Sequence, residues 1–199
     1  MKSVNIERTP NTFLVPIAEA IAVHQIRSTD QTRPNLLGTF LEDPVCWATN
    51  GASILVATLP PEAHIGDLAL NRSLRFDDKD KAVRNKGAVW LYGNTETGII
   101  QVLGEQVEGE AVRFGVLEFE LENHQPPAWQ HIIPEPGPHK IEEATFDPDI
   151  LAALHKAVKP LIVSKRTGVC LHQKHAGYPI RVEWPGAPQI VGAMSPMKF

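Results

Sequence analysis

The chain has 199 residues, of which 43% are hydrophobic and 21% charged, and its formal net charge is −4. A chain of this size can bury a core without cross-links. Its negative net charge excludes binding to nucleic acid that depends on overall charge attraction. Two cysteines, Cys46 and Cys170, favour a reducing compartment over a disulfide framework. With no signal peptide and no run of about 20 apolar residues, we expect a soluble, cytoplasmic protein without a membrane partner.

The first predicted unit lies between Phe13 and Thr58. Phe13–Val15 is typical of a short strand, and Pro16 favours the first turn of a helix, where its missing N–H has no helical partner. Three short β-like runs follow that helix: Leu36–Leu41, Val45–Ala48 and Ser53–Thr58. The dipeptide Asn50-Gly51 predicts a tight turn between the last two runs, because both residues tolerate a positive φ.

The next segment, residues 62–86, mixes basic and acidic side chains. Such a mixture is typical of a solvated loop or a short exposed helix, and a nucleic-acid patch is the open alternative. The role of this segment is not defined by its sequence.

Residues 87–121 are predicted to be β-structure. Their apolar and polar residues alternate in two runs, Ala88–Tyr92 and Ile99–Leu103, joined by a polar hairpin loop. Further along, the apolar alternation changes parity between Val116 and Leu117. A β-bulge produces such a change, so we expect one near Gly115.

The pattern of the first unit returns from residue 144. Ala144–Phe146 is predicted to be a short strand, Asp147 an N-cap and Pro148 the first residue of a helix. Three β-like runs follow this helix too: Val169–Gln173, Ile180–Glu183 and Gln189–Ala193. The repeat predicts an α+β fold with antiparallel sheets and two helices on one face.

The proline-rich stretch between the two units defines the predicted organisation. Prolines exclude a central strand or helix there. We therefore divide the chain into a first half with a β-rich insertion, residues 1–125, a connector, residues 126–139, and a second half, residues 140–199. The two halves together are expected to form one domain. Trp129 stands among the connector prolines, where an aromatic ring commonly anchors a connector to the core.

Residues that could carry chemistry are few. Neither a phosphate-binding glycine loop nor a nucleophile elbow occurs. Cys170, His172 and His175 have metal-ligating side chains at close spacing, although a polar hairpin would contain the same residues. Four basic residues follow or lie on the second predicted helix, namely Lys156, Lys159, Lys165 and Arg166. They are either a solvated surface or a set of contacts to phosphate.

Three segments resemble the bacterial DNA sliding clamp, the beta subunit of DNA polymerase III. Phe13–Ala57, with Ala48-Thr49-Asn50-Gly51, resembles the start of the clamp's middle domain, although Ala52 and Ser53 replace the histidine and arginine of that motif. Pro127–Pro134 is similar to a junction motif of the family, with Trp129 in place of tyrosine. The segment from Phe146 to Phe199 resembles the last half-domain and its Met-Pro-Met-Arg-Leu ending.

The resemblance implies a non-enzymatic clamp-like processivity or docking factor of DNA replication. It implies an apolar cleft for peptides of a DNA polymerase or a clamp loader, formed by Thr49, Gly51, Ile54, Met194, Pro196, Met197 and Lys198. It implies helices that contact double-stranded DNA without sequence specificity through the four basic residues. It also implies a homo-oligomer. Two alternatives stay open: a small-molecule- or metal-binding α+β protein with a Cys/His site, and a clamp-fold interaction module without DNA binding.

Overall fold

A computed structural model describes residues 6–67, 72–107, 110–123, 126–135, 145–163, 168–175 and 177–196. The strands in these ranges are β1 (Thr12–Pro16), β2 (Thr39–Glu42), β3 (Val45–Thr49), β4 (Ser53–Thr58), β5 (His64–Ile65), β6 (Arg72–Arg75), β7 (Ala88–Asn94), β8 (Ile99–Val107), β9 (Glu110–Glu118), β10 (Glu120–Asn123), β11 (Cys170–His172), β12 (Ile180–Glu183) and β13 (Ile190–Met194). The helices are α1 (Ile17–His24) and α2 (Pro148–Val158), with 3-10 turns at Pro34–Leu36, Trp129–His131 and Lys159–Leu161.

The strands form two antiparallel sheets. One has five strands in the order β5-β1-β7-β8-β9, and the other has eight in the order β10-β6-β2-β3-β4-β13-β12-β11. The predicted α+β class is therefore confirmed. No helix among the described residues is long and apolar enough to cross a membrane.

Helix α2 begins at the predicted residue, whereas α1 begins one residue later than predicted. Pro16 is the N-cap of α1, so that helix starts one residue later than a proline in its first turn would give. The Asp147 side chain accepts a hydrogen bond from the Asp149 backbone N–H at 2.8 Å, and Pro148 is the first residue of α2. The carboxylate thus satisfies a backbone donor that has no helical acceptor.

The centre of the eight-stranded sheet is symmetric in strand order. β4 pairs with β13, and Ile54 lies opposite Ala193. On either side of this pair the order is β3 then β2, and β12 then β11. The helix that precedes each set of three strands packs on the same sheet, α1 on β3 and β4 and α2 on β13 and β4. The division into residues 1–125, 126–139 and 140–199 stays a prediction.

Two predictions along the chain need correction. Thr145 and Phe146 do not belong to a strand, and Ala144 lies outside the described residues. Residues 62–86 are not only loop, because β5 and β6 lie in the sheets and Leu74 and Phe76 are buried. The charged neighbours of these two residues make the segment look like a solvated loop. Its apolar side chains are buried because β6 pairs with β2 and β10.

The predicted bulge is present in β9. Val102 of β8 pairs with Gly115, whereas the next residue, Leu103, pairs with Arg113. Phe114 is left without a partner in the ladder, directly beside Gly115. The extra residue allows Phe114 and Leu117, three positions apart, to pack on the same core, whereas Val116 is exposed.

The main core lies between the helices and both sheets. It contains inward-facing residues of α1, α2, the eight-stranded sheet and the five-stranded sheet. The opposite face of the eight-stranded sheet carries a separate cluster of Phe40, Trp47, Ile54, Val56 and Ala193. Residues 126–135, the described part of the predicted connector, cover this second cluster and are called the connector below. One sheet thus has helices on one side and an irregular segment on the other.

Candidate functional site

A cavity of about 250 Å³ opens at the end of the eight-stranded sheet where β3, β4, β12 and β13 have neighbouring ends. Its floor and walls come from five distant parts of the chain. The lining residues are Asn35, Leu36, Thr49, Gly51, Ala52, Ser53, Pro127, Ile132, Pro179, Ala193, Met194 and Ser195. We call this cavity the cleft.

The β3–β4 turn forms one rigid edge of the cleft. Asn50 Oδ1 accepts hydrogen bonds from the backbone N–H groups of Ala52 and Ser53, at 2.9 and 2.8 Å. The Thr49 hydroxyl donates to the Ser53 carbonyl at 2.7 Å. Gly51 has a φ of 90°, which glycine adopts at no steric cost. The predicted Asn-Gly turn is confirmed, and its hydrogen bonds fix the cleft edge.

A cation lies beside this edge. A Cβ atom on Gly51 would lie 3.0 Å from Nη1 of Arg33. The Arg33 guanidinium is exposed and forms a surface ion pair with Asp30, with 3.6 Å between Nε and Oδ2. Exposed pairs of this kind contribute little to stability. Arg33 therefore adds a weakly paired positive charge beside the cleft.

The end of β13 forms a second edge. Met194 pairs with Ser53 and is buried, and the Ser195 backbone N–H donates to the Ala52 carbonyl at 2.9 Å. The chain after β13 is thereby held along the β3–β4 turn. The Met194 side chain adds a flexible thioether to the cleft lining.

The connector forms a third wall. Pro127 and Ile132 line the cleft, and Ile132 and Ile133 pack on the cluster around Trp47. Trp129 packs on the same cluster, with its ring centroid 6.2 Å from that of Trp47. The expected role of Trp129 as an anchor of the connector is confirmed.

The structure brings some of the predicted cleft residues together. Thr49, Gly51 and Met194 line the cleft, whereas Ile54 lies beside it, fully buried under the connector. Pro196 follows Ser195 and is half-buried, and Met197 and Lys198 lie outside the described residues. Their role in peptide binding stays a prediction.

Sequence reasoning missed several cleft residues. Leu36, Asn35 and Pro179 enter the site from a 3-10 turn and from the chain before β12. No local pattern marks them, because only the pairing of β4 with β13 brings these segments to one end of the sheet. The connector residues Pro127 and Ile132 belong to the segment that resembles the junction motif, but that resemblance does not predict their contact with the cleft.

The exposed surface of the two helices and of the 3-10 turn after α2 is called the helical face below. It carries two of the four residues predicted to contact DNA. Lys156 and Lys159 are exposed on α2 and on the 3-10 turn after it, while Lys165 and Arg166 lie outside the described residues. Asp149 in the first turn of α2 and Glu19 in the first turn of α1 are acidic. Among the described residues, the electrostatic character of this face is therefore mixed.

The Cys/His segment has ordinary packing partners. His172 Nε2 lies 3.4 Å from a Glu183 carboxylate oxygen, and the His175 ring lies 4.0 Å from the Tyr178 ring. Cys170 is exposed at the edge strand β11. Within the part of the chain that the structure describes, no group of three or more His, Cys, Asp and Glu residues has an arrangement that could hold a metal ion.

Two buried titratable groups belong to the core. Burial and, to a smaller extent, the nearby Arg27 lower the pKa of His24 to about 3, although the hydrogen bond to the Phe76 carbonyl acts in the opposite direction. Burial also raises the pKa of the Cys46 thiol. Both side chains are therefore uncharged at neutral pH, and Cys46 is an unreactive core residue.

No protein-family model matches the sequence, and no curated protein matches it either. Solved structures do match it, and among them are bacterial sliding clamps whose matches cover nearly the whole of this chain. The described fold is therefore a shortened form of the sliding-clamp fold.

Three of these clamps define the similarity. The Pseudomonas aeruginosa clamp matches with a TM-score of 0.60 at 9% identity, over 100% of this chain and 69% of the clamp. The Bartonella birtlesii clamp, solved with griselimycin bound, gives 0.56 at 12% identity, over 100% and 68%. The Borrelia burgdorferi beta subunit, in complex with a natural product, gives 0.51 at 12% identity, over 100% and 67%. The chain thus spans about two thirds of the clamps' length.

Proposed function

We propose that this protein is a non-enzymatic, clamp-like docking or processivity factor that acts on DNA in the cytoplasm. The observation that carries the proposal is the cleft, where Thr49, Gly51 and Met194 meet the connector in one cavity. The clamps that share the fold are accessory proteins of a DNA polymerase, which supports the same role for this chain. The proposed occupant is a short peptide of a polymerase or a clamp loader.

The chemistry of the cleft suits an apolar peptide segment. Leu36, Pro127, Ile132 and Met194 supply apolar surface, and burial of such surface drives association. The cavity accommodates only a few side chains, since about 250 Å³ is below the usual range for a drug-sized ligand. A short motif with one or two apolar anchors therefore fits better than a folded domain.

The substitution Ala52→Glu is expected to weaken peptide binding at least tenfold. Ala52 is exposed and lines the cleft, so a carboxylate there places a charge against an apolar ligand without disturbing the core. Fluorescence anisotropy with a labelled peptide from the clamp-binding segment of a bacterial replicative polymerase measures the affinity.

The matched control is Ala152→Glu, which introduces the same charge at an exposed alanine of α2. This variant is expected to bind the peptide like the original chain. Equal affinities for all three proteins would place the binding surface outside the cleft. No binding to any of them would remove the proposed role.

We also propose that the helical face contacts the phosphates of double-stranded DNA in a homo-oligomer. Replacing Lys156 and Lys159 by glutamate is expected to weaken DNA binding about tenfold at low salt. It is also expected to reduce the salt dependence, because each phosphate contact that is lost lowers the number of counterions released on binding. Anisotropy with a labelled duplex, combined with light scattering on the same samples, measures affinity and assembly.

The control for this test is the double substitution Lys79→Glu with Lys81→Glu, which alters the exposed loop after β6. It changes net charge by the same amount and leaves α2 intact. A larger loss in this control would assign DNA contact to residues 62–86 instead. A strict monomer by light scattering would exclude an encircling assembly.

A further inference from the structure

The connector is held at its first end by one carboxylate. Trp129 Nε1 donates to Glu42 Oε2 at 2.9 Å, and Gln130 Nε2 donates to Glu42 Oε1 at 3.2 Å. Glu42 is the last residue of β2, so it belongs to the sheet and not to the connector. Hydrogen bonds to an ionised acceptor are stronger than neutral ones. Both oxygens of Glu42 thus fasten the connector to a fixed point.

At its other end the connector is held by a guanidinium. Arg181 Nη1 donates to the Pro134 carbonyl at 2.9 Å. Arg181 is a residue of β12, and its own position is fixed by Glu183, with 2.6 Å between Nε and Oε1. The connector is therefore attached to β2 and β12, on opposite sides of the central pair β4 and β13.

Between these attachments the packing of the connector is shallow. No residue of the turn Trp129–His131 is buried, and Ile132 and Ile133 are only partly buried where they meet the Trp47 cluster. Ile132 also lines the cleft. A shift of the connector away from the sheet would therefore widen the cleft and remove an apolar contact from its wall.

We propose that Glu42 and Arg181 are positioning residues that hold the connector as a cleft wall and so set the affinity for the docked peptide. Neither residue lines the cleft, so both act through the connector. The inference rests on the proposed docking function for its effect on affinity. The attachment itself can be measured without any peptide.

The test compares Glu42→Ala with the full-length original chain by two readouts. Hydrogen exchange of the backbone amides from Trp129 to Ile133 reports the attachment, and peptide anisotropy reports the cleft. We expect exchange to accelerate about tenfold and peptide affinity to fall about tenfold, the size expected when hydrogen bonds to a charged group are lost. Glu42→Gln keeps a carbonyl acceptor for the Trp129 N–H and is expected to recover part of both effects.

A matched control is Glu120→Ala, which removes an exposed carboxylate from β10, at one edge of the same sheet, where Glu120 pairs with Arg75 at 3.2 Å. It should change neither readout. Unchanged exchange in Glu42→Ala would overturn the attachment, and faster exchange with unchanged affinity would overturn its effect on the cleft. If the original chain binds no peptide, the docking function fails, while the exchange readout still decides whether Glu42 holds the connector.

Discussion

Replacement of Trp47 by alanine is expected to lower the free energy of unfolding by about 3–5 kcal/mol, the range for a fully buried large aromatic residue. The Trp47 side chain is 0% exposed and stacks on Phe40 with 4.3 Å between ring centroids. Trp129 of the connector also packs against Trp47, with 6.2 Å between ring centroids. The substitution would leave a cavity beneath the connector, and urea denaturation followed by circular dichroism measures the loss.

The conservative substitution Trp47→Phe separates packing from hydrogen bonding. The buried indole N–H of Trp47 has no hydrogen-bond partner among the described residues, and an unsatisfied buried donor costs about 1–3 kcal/mol. Phenylalanine removes this donor and keeps most of the ring contact, so its loss should be much smaller, near 1 kcal/mol. Tyr178→Ala, at a half-exposed ring, is the control and should change stability by about 0.5 kcal/mol or less. Equal losses in both Trp47 variants would contradict the importance of packing here.

The second large effect is a loss of stability in acid that arises from His24. Its ring is buried, with Nδ1 2.9 Å from the Thr39 hydroxyl and Nε2 3.0 Å from the Phe76 carbonyl. The carbonyl can only accept, so Nε2 carries the proton and Nδ1 accepts from Thr39. Burial and the nearby Arg27 and Arg75 disfavour a second proton, which lowers the pKa from 6.5 to about 3.

The direction of the pH effect follows from these two values. Below pH 6.5 the unfolded chain binds a proton at His24, whereas the folded chain does not bind it until the pH is about 3. The unfolded state is therefore favoured as the pH falls, by about 1.4 kcal/mol per pH unit between these limits. The contribution of neutral His24 is complete above pH 6.5. Denaturation at pH 7, 6, 5 and 4 measures the slope.

The comparison variant is His24→Gln, which is uncharged at every pH and can still donate and accept a hydrogen bond. It is expected to be less stable at pH 7, because the geometry of the two bonds is not reproduced, but to lose less stability on acidification. If the original chain and the variant show the same slope from pH 6 to pH 4, the acid sensitivity arises from other groups.

Local signals in the sequence predict the elements that depend on local chemistry. Asp147-Pro148 defines the start of α2, and Asn50-Gly51 defines the β3–β4 turn, because capping and turn conformation involve only neighbouring residues. The parity change beside Gly115 predicts the bulge for the same reason. The resemblance of the connector and the C-terminal segment to the sliding clamps predicts the fold into which these elements assemble.

Features that depend on distant pairing could not be predicted. The burial of His24 requires Thr39 and Phe76 on either side of its ring, and nothing near it in sequence indicates this. The cleft wall at Leu36 and Pro179 likewise forms only after the halves of the sheet have joined. The buried residue Leu74 of β6 lies in a charged segment, and such segments are usually interpreted as solvated loops.

The central pairing of β4 with β13 has a consequence for the order of folding. Ala57 pairs with Ile190 and Ser53 with Met194, so the strands at the middle of the sheet meet late, after a long loop has closed. β11 and β12 join the sheet only through β13. A partially folded chain therefore cannot form the cleft, so the proposed peptide would bind only molecules whose folding is complete.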